Sequence, residues 1–261
     1  MNFRNASPSS FLEIFTEISI FSWTKCACNI RWKIRFSLWL ETADLVLKTE
    51  AIMKILSRRT PSVWMRRTTG FFFVRGNHDN PAYFDGCTFK YKRFIAIPDY
   101  SIVKACGHTL LCIGGAISID RSYRINAWEQ LQKKCHKSSQ DLSKGIYERN
   151  YYWPNEKPVF NVELLKRIMV EQIIDTVITH TSPSFCELQN KNGLYRWAND
   201  DTQLTVDVQQ ERYTMDSIYH MLKENQNITH WCYGHFHQSW HSNIDGILFK
   251  MLDIMEFYEI R

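Results

Sequence analysis

The spacing of apolar and polar residues predicts alternating strands and helices from residue 70 onward. An apolar run at 70–75 predicts a buried strand that ends in a loop at its carboxyl end. Apolar residues recur at helical spacing over 162–172 and 213–225, which predicts two helices that each bury one face. Strands that alternate with helices indicate a layered α/β fold. Further apolar runs predict strands at 94–97, 101–104, 109–113, 175–179, 229–233, 246–252 and 257–260.

The first 69 residues lack such a pattern. They contain a single aspartate, Asp44, and no glycine, so two of the usual turn-forming residues are nearly absent. A rough helical stripe over 40–57 predicts the one recognisable element in this part of the chain. We therefore expect an atypical segment at 1–69, non-native or poorly folded, followed by the main domain at 70–261.

The net charge of +5 is concentrated at the start of the chain. Residues 1–75 hold 12 Lys and Arg against 5 Asp and Glu, whereas residues 76–261 hold 20 against 22. A basic arm of this kind can bind nucleic acid, and it is also typical of a segment that does not fold well. Both interpretations stay open, and only the first implies a nucleic-acid partner.

The cysteine pattern and the hydropathy favour a protein of the cytoplasm. The eight cysteines include no CxxC pair and no repeated spacing, which predicts reduced, mostly buried thiols rather than a disulfide framework. The chain contains no run of 18 apolar residues and no recognisable signal peptide, so we expect no membrane span.

Two polar segments, 119–160 and 184–212, are predicted to be loops. A long irregular segment in a compact domain is often functional, so 119–160 is expected to shape the substrate pocket. Arg121 and Arg124 lie in it, just after a predicted strand. They either hold a substrate phosphate or form a solvated surface pair.

Side chains that can bind metals follow three of the predicted strands. A Gly-Asn-His-Asp motif at 76–79 follows the strand at 70–75, a single histidine follows 175–179, and a Gly-His-Phe-His motif at 234–237 follows 229–233. Loops at the carboxyl ends of strands carry the sites of α/β folds, so these three loops are expected to converge. Imidazole nitrogens and an amide oxygen suit metals such as Zn, Fe or Mn. The residues concerned are Asn77, His78, Asp79, His180, His235 and His237.

These motifs, in this order, resemble those of the calcineurin-like metallophosphoesterase family. The segments at 114–121 and 252–254 are similar to those of bacterial and phage members. The resemblance covers about residues 70–261. It implies an α/β fold, a two-sheet sandwich flanked by helices, that holds two divalent metal ions (Mn, Fe or Zn) and acts on a phosphorylated substrate.

The resemblance also implies a role for each residue. Asn77, His180 and His235 would ligate one metal, and His237 would ligate the other. His78 would contact the phosphate and protonate or stabilise the leaving oxygen, while Asp79 would hold the His78 ring. The implied reaction is hydrolysis of a phosphomonoester or phosphodiester by metal-activated water. We interpret the remaining histidines as structural residues, namely His108, His136, His220, His230 and His241.

The family's first half-site is missing from this chain. It should consist of an Asp-x-His at the end of the first strand and a Gly-Asp whose aspartate bridges the metals, and the sequence contains neither motif. Two explanations stay open: residues 1 to about 70 differ from natural family sequence, for instance through a shifted reading frame, or the chain is a diverged member that lost its metals. The alternative function is therefore a catalytically inactive binding or interaction protein on the same scaffold.

Overall fold

The computed structural model describes residues 18–25, 32–39, 71–88, 90–91, 94–105, 107–134, 152–254 and 256–260. Within these ranges the chain forms two six-stranded sheets that share a core, and helices cover the outer face of the second sheet. The predicted two-sheet α/β sandwich is thereby confirmed. The helix predicted over 40–57 lies outside the described residues.

The first sheet joins both ends of the described chain. Its order is β12-β2-β1-β3-β5-β4, and only the β3–β5 pair is parallel. Strands β1 and β2, which the sequence pattern does not reveal, lie between β3 and β12. The predicted boundary near residue 70 stays a prediction. The strands are β1 (Ile18–Lys25), β2 (Trp32–Trp39), β3 (Phe71–Val74), β4 (Lys90–Tyr91), β5 (Phe94–Ala96) and β12 (Glu256–Ile260).

The second sheet has a parallel centre and antiparallel edges. Its order is β10-β11-β9-β8-β7-β6, in which β11, β9, β8 and β7 run parallel. The carboxyl ends of these four strands therefore meet at one edge of the sheet. The strands are β6 (Ser101–Ala105), β7 (His108–Ile113), β8 (Thr176–Thr179), β9 (His230–Tyr233), β10 (Trp240–Ile244) and β11 (Ile247–Met251).

The core is divided by the alternation of side chains along each strand. In β7, Leu110 and Cys112 belong to the core shared with the first sheet, whereas Leu111 and Ile113 belong to the core beneath the helices. Successive side chains of a strand point to opposite faces, so a strand buried on both faces has apolar residues throughout. The continuous apolar runs of the sequence have this origin.

Four helices occur in the described part of the chain. The longest, α4, packs Met215, Ile218, Tyr219 and Leu222 against the second sheet, at the spacing expected for one face of a helix. Helix α2 adds two fully or nearly buried side chains of its own to the same core. The helices are α1 (Arg121–Lys134), α2 (Val162–Glu171), α3 (Asn192–Ala198) and α4 (Leu204–Asn225).

The predicted strands from 94 onward and the helix at 162–172 are confirmed to within about two residues, but both predicted loops are wrong in part. The segment 184–212 contains α3 and the first nine residues of α4, and 119–160 contains α1. Helix α4 begins nine residues before the predicted start at 213 because its first half buries the charged pair Glu211 and Arg212, which interrupts the apolar stripe. Residues 135–151 lie outside the described ranges.

The short strand β4 and the edge strand β10 are further elements that the apolar pattern misses. Strand β10 is largely exposed and contains His241, Ser242 and Asn243, so it lacks the apolar run of a buried strand. Among the described helices, none is both long enough and apolar enough to cross a membrane.

Candidate functional site

The site lies where loops leave the carboxyl ends of strands in both sheets. Residues 76–79 follow β3, 114–118 follow β7, His180 follows β8 directly, and 234–237 follow β9. Because β7, β8 and β9 are adjacent and parallel, their three loops emerge side by side. The convergence expected from the motif positions is present.

Asn77, His180 and His235 come together at this edge. The Nε2 atom of His180 lies 2.9 Å from Oδ1 of Asn77, and the His180 and His235 rings are 5.1 Å apart between centroids. Asn77 and His180 are buried, with 6% and 1% of their surface exposed. Asn77 and His180 are 103 positions apart in the sequence, so they meet only in the folded chain.

The surroundings of three imidazoles of the site, those of His78, His180 and His235, lower their pKa values. Burial, reinforced by the charge of Arg75, lowers the pKa of His180 to about 3. Burial also lowers the pKa of His235, with further contributions from His180 and Arg212, and burial and Arg124 do the same for His78. A neutral imidazole is the form that ligates a metal, so low pKa values suit these residues to that role.

His78 lies between two groups that carry N–H donors. Its Nε2 atom is 3.3 Å from Nδ2 of Asn77 and 3.2 Å from the NH2 nitrogen of Arg124. The ring is half-buried, unlike that of His180. His78 therefore borders the site on the side where α1 begins.

Asp79 is almost completely buried and closes the turn of its own motif. Its Oδ2 atom accepts a hydrogen bond of 2.7 Å from the backbone N–H of Gly76. Burial raises the pKa of Asp79 to about 7, although the Gly76 hydrogen bond opposes the rise. The turn fixes the backbone that carries Asn77 and His78, and the implied contact of Asp79 with the His78 ring stays a prediction.

The Gly-His-Phe-His loop has an unusual backbone. His235 and His237 both have positive φ values, 69° and 53°, a conformation that costs a non-glycine residue about 1–3 kcal/mol. Between them, Phe236 packs against the His235 ring at 5.1 Å and lies 5.0 Å beneath the guanidinium carbon of buried Arg212. Phe236 thus lies packed between the two histidines that have this backbone conformation.

Ser118 and Glu156 support Asn77 from behind. The Nδ2 atom of Asn77 donates to Oγ of Ser118 at 2.8 Å, and the Ser118 hydroxyl donates to Oε2 of Glu156 at 2.6 Å. The backbone N–H of Ser118 donates to the other carboxylate oxygen at 2.7 Å. Burial raises the pKa of Glu156 to about 8, against these two hydrogen bonds.

The loop that carries Ser118 requires glycine. A Cβ atom on Gly114 would lie 2.6 Å from the carbonyl oxygen of Arg75, and Gly115 has a φ of 93°. Sequence reasoning did not assign a role to Ser118, Glu156, Glu211 or Arg212. The Gly-Gly pair directly after a buried strand, within the segment 114–121 that resembles family members, is a local signal that points to Ser118.

Glu211 and Arg212 of α4 connect the loops that follow β7, β8 and β9. Both are buried, and they pair with each other at 2.5 Å. Glu211 accepts hydrogen bonds from the backbone N–H of Ile117 and, at 2.8 Å, from the Thr181 hydroxyl. Burial raises the pKa of Glu211, although Arg212 opposes the shift. With Arg212 packed on the Phe236 ring, one pair of helix residues braces three loops of the site.

Neither arginine of α1 is a solvated surface residue. Arg121 pairs with Asp201 and Asp207, at 2.6 Å in each case, and thereby ties α1 to the start of α4. Arg124 pairs with Asp120 at 2.9 Å and points its NH2 nitrogen toward His78. Of the two predicted phosphate ligands, only Arg124 borders the candidate site.

Histidines that we interpreted as structural have partners elsewhere. His108, the first residue of β7, contacts Asp175 at 2.8 Å at the opposite end of the sheet. His230 lies 2.9 Å from the hydroxyl of Thr229. His220 packs against the neighbouring Tyr219 ring, and His241 is exposed on β10. The side chain of His136 lies outside the described residues.

The donor set fits one metal in part and a second metal poorly. Asn77 has committed its Nδ2 atom to Ser118, so its Oδ1 atom faces Nε2 of His180. The Nδ1 atom of His180 is buried with no hydrogen-bond partner in the described structure, so either tautomer leaves a polar atom of the ring poorly satisfied. In the tautomer that carries its hydrogen on Nδ1, the Nε2 lone pair and the Asn77 Oδ1 atom face each other, and a cation between them could take both atoms as ligands.

His237 is exposed at the rim of the site and would have to supply the second metal. It follows His235 by two residues on the same loop. Among the described side chains, no three His, Cys, Asp or Glu residues form a group arranged to hold a metal. The carboxylate ligands that the Asp-x-His and Gly-Asp motifs would contribute are missing from the sequence itself.

Comparison with known proteins agrees with the motifs. The family model of the calcineurin-like phosphoesterases, which hydrolyse phosphoesters with the help of metal ions, matches residues 44–239. No curated protein sequence matches the chain significantly. The family match starts earlier and stops earlier than the 70–261 range inferred from the motifs. Because it extends over about three quarters of the 261 residues, the chain belongs to the calcineurin-like phosphoesterase family.

Proposed function

We propose that this chain hydrolyses a phosphomonoester or a phosphodiester with water that a divalent metal activates. The observation that supports this most directly is the approach of Asn77 Oδ1 to His180 Nε2, at 2.9 Å, beside the ring of His235. Two neutral imidazoles and an amide oxygen meet at the strand ends where α/β enzymes carry their sites.

In this proposal Asn77, His180 and His235 hold one divalent metal, Mn, Fe or Zn, and His237 contributes to a second. When bound, such a metal polarises the phosphoryl group and makes water more acidic. Two of these side chains are supported by neighbours: the Asn77 amide is hydrogen-bonded to Ser118, and the His235 ring packs against Phe236. Bracing of this kind keeps ligand atoms oriented before a metal arrives.

His78 is proposed to contact the phosphoryl group and to protonate or stabilise the leaving oxygen. Its half-buried ring borders the ligand atoms on one side, through Asn77 Nδ2 at 3.3 Å, and Arg124 on the other. Asp79 supports this placement through the turn that it closes with Gly76.

A second candidate function is favoured by the missing carboxylates. Without them, the candidate ligands Asn77, His180, His235 and His237 supply no negative charge to offset the repulsion between two divalent cations. A catalytically inactive binding or interaction protein on the same scaffold would have at most one weakly bound metal.

Metal content and turnover distinguish the two functions. The purified full chain would be assayed for bound Mn, Fe and Zn and for hydrolysis of an aryl phosphate, beside the variants His180→Ala and His220→Ala. The enzyme should contain metal and turn over substrate, lose both in His180→Ala, and keep both in His220→Ala, where an exposed helix residue is changed. Wild-type protein with neither metal nor turnover would support the inactive binding protein.

A further inference from the structure

Arg124 is the cationic side chain of α1 that reaches the candidate site. Its NH2 nitrogen lies 3.2 Å from Nε2 of His78, and its side chain is only 15% exposed. A guanidinium stays charged at every physiological pH, so this positive charge is permanent whether or not a metal is present.

Asp120 determines which edge of the guanidinium faces the site. The Nε atom of Arg124 contacts both carboxylate oxygens of Asp120, at 3.0 Å and 2.9 Å. The carboxylate thus occupies the Nε edge, and the NH2 nitrogen extends toward His78. A planar fork held along one edge in this way presents the nitrogen that faces His78 in a fixed direction, which suits an oxyanion.

The neighbouring Arg121 shows what a purely structural arginine of the same helix looks like. It divides its donors between Asp201 and Asp207, two carboxylates that link α1 to α4. Its charge is therefore balanced by two anions on another element, whereas Arg124 pairs with Asp120, four residues before it, and also reaches His78. On the side of the site, Arg124 contacts the neutral ring of His78, which is a weaker hydrogen-bond acceptor than a phosphoryl oxygen.

The contact lies next to the atoms proposed to ligate the metal. The Nε2 atom of His78 is within 3.3 Å of Asn77 Nδ2, and Asn77 Oδ1 is within 2.9 Å of His180. An oxygen bound by Arg124 and His78 would therefore belong to a group that also reaches the Asn77 side of the site. A tetrahedral phosphoryl group, with several non-bridging oxygens, has that shape.

We propose that Arg124 and His78 bind the non-bridging oxygens of the substrate's phosphoryl group, and that this anion contact does not require a metal. The proposal takes its ligand, a phosphoryl group, from the proposed function and adds the residue that recognises it. It assigns Arg124 to substrate binding and Asp120 to the positioning of Arg124.

The test is phosphate binding by the full chain after its metals have been removed with a chelator. Isothermal titration with inorganic phosphate should show saturable binding to wild type that weakens as salt is added. Arg124→Gln should weaken it about tenfold or more, the usual cost of losing a hydrogen bond to a charged group. Arg124→Lys should lie between the two, because it keeps the charge but loses the planar fork.

Two controls separate a lost contact from a damaged fold. Lys133→Gln removes a charge from the same helix at an exposed position, roughly 13 Å further along the axis, and should leave the affinity unchanged. Asp120→Asn leaves the guanidinium in place but removes the carboxylate that orients it, so it should weaken phosphate binding by less than Arg124→Gln does. Circular dichroism of each variant checks that the chain is folded.

The outcomes for this inference and for the proposed function are distinguishable. Phosphate that binds wild type and Arg124→Gln equally well, or does not bind metal-free wild type at all, overturns the role of Arg124 even if the metal-loaded enzyme is active. If phosphate binding depends on Arg124 but the purified chain contains no metal and hydrolyses no substrate, the anion site is supported and the proposed hydrolase activity is rejected.

Discussion

The side-chain amide of Asn77 donates its hydrogen bond to the hydroxyl of Ser118, at 2.8 Å, across 41 residues of sequence. This contact orients the amide: with Nδ2 directed at Ser118, the oxygen atom must face His180. Ser118 is itself fixed, because its hydroxyl and its backbone N–H both donate to the buried carboxylate of Glu156. A candidate metal ligand is thus oriented by two residues that have no place in the motifs.

Ser118→Ala should test this orientation. The change removes the acceptor of the Asn77 amide and one donor to Glu156, so the free energy of unfolding should fall by about 1–3 kcal/mol, as for other buried polar groups that lose a partner. Metal affinity should fall by about 10–100-fold, because Ser118 orients the candidate ligand Asn77. Urea denaturation and metal titration measure the two effects.

Ser217→Ala is the matched control. The Ser217 hydroxyl donates to the carbonyl of Tyr213 on the outside of α4, so its loss should change neither quantity appreciably. Equal effects of the two substitutions would show that Ser118 has no special role in orienting Asn77.

Stability should depend on pH through Glu156. Burial raises the pKa of this carboxyl group from its ordinary value of 4.5 to about 8 in the folded protein. The folded state therefore binds the proton more tightly than the unfolded state, and the free energy of unfolding should fall as pH rises from about 4.5 to about 8. Its contribution is complete below the lower value and lost above the upper one.

Glu156→Gln should flatten this decline. The amide keeps an oxygen for the backbone N–H of Ser118 and cannot ionise. Denaturation midpoints of wild type and variant would be measured in urea at about pH 5 and about pH 8, and their difference isolates Glu156 from Glu211, whose pKa burial also raises. Parallel pH profiles of the two proteins would contradict the assignment.

The strands and the order of the motifs could be predicted because each depends on local sequence. A strand buried on both faces is a continuous apolar run, and the metal-ligand candidates Asn77, His180 and His235 follow such runs within a few residues. The layered fold follows from that alternation alone. Strands β1 and β2 had no such signal, and they are placed by pairing with β3 and β12.

The support behind the site could not be predicted, for a different physical reason. Glu156, Glu211 and Arg212 are charged residues with 1%, 3% and 4% exposure, whereas charged residues are mostly found on surfaces. Each of them bonds to a residue far away in the sequence. Glu156 bonds to Ser118, 38 positions away, Glu211 to Ile117, 94 positions away, and Arg212 to Ser182, 30 positions away. No local sequence pattern marks a buried charged residue whose partner lies on another element. Glu211 and Arg212 also interrupt the apolar stripe of α4, so the first half of that helix was not predicted.

The Gly-His-Phe-His loop should depend on the Phe236 ring. Phe236→Ala removes the packing against His235 and the contact with the Arg212 guanidinium, which together should cost about 1–3 kcal/mol of unfolding free energy. Metal content should fall as well, because His235 and His237 lose the anchor between them. Phe257→Ala, at a phenylalanine of β12 that is 55% exposed, should cost markedly less. Equal losses would show that Phe236 does not anchor the loop.

Backbone strain at His237 can be separated from its side chain by comparing two substitutions. The residue has a φ of 53°, so glycine should suit its backbone better than alanine does. Both His237→Gly and His237→Ala remove the imidazole and should lower metal content equally. The glycine variant should nevertheless be more stable than the alanine variant, by about 1 kcal/mol.

His241 provides the reverse case four residues further along. It lies in the extended strand β10, where glycine should be less stable than alanine by about 0.5–1 kcal/mol. Thermal or urea unfolding of the four variants gives both differences. If glycine and alanine rank in the same order at His237 and His241, the loop is not strained. Opposite orders would mean that the chain keeps an unfavourable backbone at His237, and such a cost is best explained by the side chain that the conformation presents to the site.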